Sequence, residues 1–91
     1  MTQTILEKIN QRQRQVILYS VFYYTFDMNV ITDTKWMEFA QELVQLQRDY
    51  PAITERSVFY ETMKGFDGST GVHLANNEWG LAKAEHRIQY G

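Results

Sequence analysis

The chain contains no cysteine, which excludes disulfides and thiolate zinc sites and suits a reducing compartment. Histidine is scarce as well: His73 and His86 stand 13 residues apart, without the helical spacing or paired carboxylates of a metal site, so no metal is expected. Basic charge is not in excess, with nine Lys and Arg against eleven Asp and Glu and a pI near 5.6. Direct nucleic-acid contact is therefore not expected. Lys8, Arg12 and Arg14 cluster near the N-terminus, but three cations on one helix read as a solvated face. Long apolar runs are missing too. The richest, residues 16–26, falls short of the about 20 residues that a membrane span requires. The first residues hold no uninterrupted apolar stretch of the kind that makes a signal peptide. A cytoplasmic protein without membrane contact is the expectation.

Glycine and proline are also few, and unevenly placed. Pro51 is the only proline, and four of the five glycines fall at positions 65, 68, 71 and 80. Helix is favoured early and irregular backbone late. What remains is ordinary globular material: 91 residues with 44% hydrophobic, 14% aromatic and 22% charged side chains, enough for one modest core and too few for two lobes around a cleft. Residues 1–91 are read as a single domain.

Ile5, Ile9, Val16, Ile17, Ser20, Tyr23 and Tyr24 recur at helical spacing, predicting a first helix over 4–26. Its last third is apolar almost throughout and must be covered on more than one side or offer a surface to a partner. A strand competes over 21–26, where β-favouring residues run together. Asp27 and Asn29 supply turn chemistry before a second helix, opened by Thr32 as N-cap and Asp33 in the first turn. Trp36, Phe39, Ala40, Leu43 and Leu46 mark its inner face, and Pro51 sets its end. The short link makes the pair an antiparallel hairpin. A third helix is expected over 54–64 with Val58, Phe59 and Met63 inward, then a loop at 67–71, and a last helix over 77–90 begun by Asn77 although weakened by Gly80. The predicted fold is all-α: an antiparallel helical hairpin over 5–53, with one or two further short helices in a C-terminal extension, 54–91.

The most informative stretch is YYTFDMNVITDTKWMEFAQELVQLQRDYPAI, residues 23–53. It resembles the small N-terminal domain Ia of bacterial NAD-dependent DNA ligases, in which a helix ends in an aromatic-His pair and a short link leads to Ile-Ser/Pro-Asp-x-x-Tyr-Asp. The next helix of that family carries Glu-Leu-x-x-Leu-Glu before His/Tyr-Pro-Glu-Leu. The matching residues are Tyr23-Tyr24, then Ile31-Thr32-Asp33 with Trp36-Met37, then Glu42-Leu43 with Leu46-Gln47, then Tyr50-Pro51-Ala52-Ile53.

The resemblance implies a domain that closes over the nicotinamide mononucleotide half of NAD. It implies a site at Tyr23, Tyr24, Asp33, Trp36 and Met37, where Tyr24 replaces the family's His and Met37 its second Asp. Trp36 keeps a flat π-face in place of tyrosine. The residues themselves also admit a plainer role, with Asp33 as a first-turn acid and Tyr23, Trp36 and Met37 as core.

Lys64-Gly65-Phe66-Asp67-Gly68 is superficially like the Lys-x-Asp-Gly nucleophile motif of nucleotidyl-transferring ligases, but holds one residue too many. The other nucleotidyltransferase motifs are not in the chain, and Ser20, Ser57 and Ser69 sit in no activating pattern, so no catalysis is expected. Asp67-Gly68-Ser69-Thr70-Gly71 could be an anion-holding nest or a tight connector. Two functions follow as expectations. One is a non-catalytic module binding NAD or nicotinamide mononucleotide. The other is an adaptor or inhibitor acting on a DNA ligase or another partner in DNA metabolism, through aromatic surface at Phe22, Tyr24, Phe26 and Trp79.

Overall fold

A computed structural model describes residues 3–90. It is all-α, with five helices, α1 (Ile5–Tyr24), α2 (Asp33–Asp49), α3 (Pro51–Thr54), α4 (Tyr60–Met63) and α5 (Glu78–Tyr90), and a 3₁₀ turn at Val72–Leu74 before α5. No strand occurs among the described residues, so 21–26 lies in and just beyond α1. No helix among them is long and apolar enough to cross a membrane.

Local chemistry sets the helix ends. Thr4 caps α1 in a reciprocal box, its hydroxyl accepting from the Glu7 amide at 3.1 Å while the Glu7 carboxylate accepts from the Thr4 amide at 3.0 Å. Thr32 caps α2 by accepting from the Lys35 amide at 3.1 Å. α2 ends at Asp49, and Pro51 opens α3 at a first-turn position where its missing N–H is not needed.

Side-chain partners along α1 and α2 run in opposite directions. Ser20 meets Trp36, Tyr19 stacks on Phe39, and Gln13 meets Gln47, so the two helices form the antiparallel hairpin that the short link predicts. Ile9, Val16 and Ile17 of α1 close against Ala40, Leu43 and Val44 of α2, with Met63, Phe66 and Leu74 sealing the same core. A second cluster joins Val21 and Phe22 to Ala84 of α5. The apolar last third of α1 is thus covered on two sides, by α2 and by α5.

Gly80 explains how α5 comes so near. A Cβ there would lie 2.7 Å from Val21 Cγ2 and 3.0 Å from Ile17 Cγ2. The glycine lowers intrinsic helix stability by about 1 kcal/mol but admits the α1 side chains. The Asn77 side chain accepts from the Gly80 amide at 2.9 Å and starts the helix.

The expected third helix over 54–64 is instead two single turns, α3 and α4, separated at 55–59. The cause is competition for backbone donors. The Val58 amide donates to Asn10 Oδ1 at 2.9 Å and the Phe59 amide to Gln13 Oε1 at 3.0 Å, so neither can serve an uninterrupted helix. Val58, expected inward, is 52% exposed. Gln13 is fully buried, and its Nε2 also donates to Ser57 Oγ at 2.9 Å and Gln47 Oε1 at 3.1 Å. Every polar atom of its amide group is used across three segments. At the surface, Lys8 and Arg12 of α1 both pair with Glu42 of α2, and the Arg12 guanidinium lies 4.7 Å from the Phe39 ring centre.

Gln13→Leu keeps the bulk but leaves the partly buried Phe59 amide without its acceptor; urea denaturation should show a loss of about 1–3 kcal/mol. Burial pushes the Glu42 carboxyl up, but its bonds to Arg12 and Lys8 outweigh this and hold it below the usual glutamate value. A lowered folded value adds stability above the ordinary glutamate range, and that part disappears as pH falls through the lowered value. Urea midpoints measured across the acid range should therefore fall less steeply in Glu42→Gln than in the parent chain.

Candidate functional site

The end of α1 and the beginning of α2 enclose a cleft of about 210 Å³. All five residues expected from the resemblance line it: Tyr23 and Tyr24 from α1, and Asp33, Trp36 and Met37 from α2. They share one site because the hairpin brings a helix C-terminus beside a helix N-terminus, and because positions 33, 36 and 37 fall on one side of α2.

The five differ in how firmly they are held. Trp36 is half-buried, its indole Nε1 donating to Ser20 Oγ at 3.2 Å and its ring meeting Phe66 edge-on at 6.4 Å. It is the fixed wall. Tyr23 and Tyr24 are each close to half-exposed and stand edge to face at 76°, with ring centres 4.8 Å apart, forming a corner of two aromatic surfaces. Met37 is 44% exposed, so the alternative of a core role does not apply to it or to the tyrosines. Asp33 lies in the first turn of α2, where a carboxylate favours the helix dipole.

Two further walls come from segments that sequence reasoning did not assign to the site. Met28, Asn29, Val30 and Ile31, from the link between α1 and α2, line one side. The chain turns into that link at Asp27, whose φ of 52° is left-handed, and the Met28 amide donates back to Phe22 O at 2.9 Å. Asp and Asn tolerate this conformation better than other residues with a Cβ, so Asp27 was the available signal.

The opposite wall is Ser69 and Thr70. The hydroxyls of Tyr24 and Thr70 lie 3.2 Å apart across a separation of 46 residues, for which no local pattern could speak. Gly71 follows at a point of very close approach: a Cβ there would lie 2.1 Å from Ser20 Oγ and 3.0 Å from Trp36 Cζ2.

The 67–71 segment takes the connector role rather than that of an anion nest. The Ser69 amide and hydroxyl are used internally, both donating to Asp67 Oδ1, at 2.9 and 2.6 Å. These bonds hold the Asp67 carboxyl below its ordinary value, so the loop carries negative charge where an anion would sit. Gly68 adopts a φ of +82°, which glycine tolerates without strain.

The electrostatics of the cleft are one-sided. Among its lining residues Asp33 is the single charged side chain, and there is no Lys, Arg or His. The volume is below the about 300–1,000 Å³ of sites for larger organic ligands. One ring or one side chain can enter it, whereas a whole dinucleotide would extend outside.

Other candidates are dispersed. Lys64 is exposed, and its ammonium donates to Glu61 at 2.7 Å. That bond raises it above the usual lysine value, opposite to the deprotonation a nucleophilic lysine requires. Ser57 accepts from Gln13 and donates to Thr54 O, so its hydroxyl is structural. Among the described residues no group of His, Asp or Glu could hold a metal ion. His73 lies beside Phe66 and His86 beside Tyr90, on separate parts of the chain.

The aromatic surface expected for a protein partner also requires correction. Phe22 is only 2% exposed and packs against Val21 and Ala84. Trp79 packs on the main core with its ring 5.2 Å from that of Phe59, and Phe26 lies on the second cluster. The α5 helix packs Ala84 against Phe22 and carries Trp79 inward itself, and of that set only Tyr24 faces the cleft.

Gly71→Ala should force Ser20 and Trp36 apart, lowering stability by about 1–3 kcal/mol in thermal or urea unfolding. It should also shift the emission of Trp36 in a Trp79→Phe background. No family model matches the chain, and no curated protein or solved structure matches it.

Proposed function

We propose that this chain is a non-catalytic binding module, related to the Ia domain of NAD-dependent DNA ligases, whose cleft takes NAD by its nicotinamide mononucleotide half. The observation that carries this reading is the convergence of Tyr23, Tyr24, Asp33, Trp36 and Met37 on one cleft, at the positions the ligase resemblance implies. The cleft volume suits the nicotinamide ring, with the ribose and phosphate at the mouth and the adenylate half outside. Trp36, fixed by Ser20 and Phe66, offers a rigid aromatic wall for a flat ring, and rigidity lowers the ordering cost of binding. Tyr24 and Met37 supply aromatic and thioether surface where the ligases have imidazole and carboxylate. Contact with the ring rather than with the phosphate then supplies most of the affinity.

A second reading rests on the mouth of the cleft. Met28, Val30 and Met37 are exposed there beside Tyr23 and Tyr24, an apolar rim around a small recess of the sort that accepts an anchoring side chain from a protein partner. An adaptor or inhibitor acting on a DNA ligase or another DNA-metabolism protein would use this same corner, not Phe22 or Trp79.

Calorimetric titration with nicotinamide mononucleotide and with NAD discriminates the two. The first reading expects both to bind at submillimolar concentration, and Tyr23→Ala, an exposed change with little effect on folding, to weaken both about tenfold. Absence of heat at millimolar ligand would remove it. The second reading expects a defined protein captured from a bacterial lysate by the immobilised chain and released by Met37→Glu.

A further inference from the structure

We infer that the cleft between α1 and α2 recognises positive charge on its ligand, admitting a planar or quaternary organic cation and making no essential contact with phosphate. The inference rests on the proposed function in taking nicotinamide as the ring that enters, and deepens it by naming the property selected: the charge of the oxidised pyridinium form.

Three features of the cleft converge on this selectivity. Its walls are aromatic on several sides, from Tyr19, Tyr23, Tyr24 and Trp36, and aromatic surfaces attract cations through the negative face of the ring quadrupole. Two thioethers, Met28 and Met37, add polarizable surface. Asp33 provides the one formal charge in the lining, and it is negative.

Features needed for phosphate are missing from that same lining. No Lys, Arg or His faces the cleft among the described residues. At the beginning of α2 the Lys35 amide is already taken by Thr32 Oγ1 at 3.1 Å. The Thr70 hydroxyl accepts from the Val72 amide and lies against Tyr24 OH, both at 3.2 Å, so it too is engaged. An anionic group inside the cleft would meet the Asp33 carboxylate uncompensated, whereas a cationic ring there would neutralise it. Reduction of nicotinamide to its dihydro form removes the ring charge and most of this attraction.

The test is titration of the intact chain with four probes: 1-methylnicotinamide, which carries the cationic ring without ribose or phosphate; nicotinamide mononucleotide; its dihydro form; and neutral nicotinamide. 1-Methylnicotinamide and nicotinamide mononucleotide should bind within about threefold of each other. The dihydro form and neutral nicotinamide should bind about tenfold more weakly. Asp33→Asn, with Thr32 still capping α2 and helicity checked by circular dichroism, should weaken the two cations about tenfold and leave the neutral probe unchanged.

Equal binding of nicotinamide mononucleotide and its dihydro form overturns the inference and leaves the proposed function standing. So does binding of the mononucleotide without 1-methylnicotinamide. Binding of 1-methylnicotinamide without the mononucleotide supports cation recognition and removes the proposed function. Failure of every probe at millimolar concentration removes both.

Discussion

The register between α1 and α2 is the constraint on which the molecule depends. Side-chain hydrogen bonds hold it at different heights, among them Trp36 to Ser20 near the cleft, Arg12 to Glu42, and Gln13 to Gln47 near the other end. Apolar packing between them contributes most of the stabilisation but is tolerant of sliding, since burial is non-directional. The polar pairs are not tolerant. A slip by one turn would leave buried donors without acceptors, at a penalty larger than the net value of the bonds themselves. Positions 23, 24, 33, 36 and 37 face one another only in this register.

Gln13 extends the same constraint to the rest of the chain. By accepting from the Phe59 amide and donating to Ser57 it ties the segment between α3 and α4 to the middle of α1. That segment leads through Phe66 and Gly71 to the back of Trp36, so the site is supported by residues that do not line it. α5 performs the corresponding task for the other side of α1, approaching closely through Gly80 and Ala84.

Much of this was legible in the sequence where it depended on neighbours in the chain. Thr32 and Asn77 announce helix starts because capping is decided within three residues, and Pro51 announces an end for the same reason. The hairpin followed from the inner-face spacing of Trp36, Phe39, Ala40 and Leu43 together with a short link. The break at 55–59 was not legible, because it is produced by Asn10 and Gln13, more than forty residues earlier, capturing amides that a local reading assigns to a helix. Phe22 was misread for a related reason: an aromatic run leaves open which rings a later helix will cover, and α5 covers that one. Ser69 and Thr70 as a wall of the cleft lie beyond local inference altogether, being placed there by the return of the chain past Gly71.

The left-handed backbone at Asp27 has a consequence for how the corner between the helices is built. The turn reverses the chain directly after α1, so that residues 28–31 pass alongside Tyr23 and Tyr24 instead of continuing away from them. That side of the recess is set by one dihedral angle and one returned amide bond, with little packing behind it, while the Trp36 side is braced by the whole core. The recess thus has a firm back in Trp36, braced by Ser20 and Phe66, and an exposed front in Met28 and Val30 of the link.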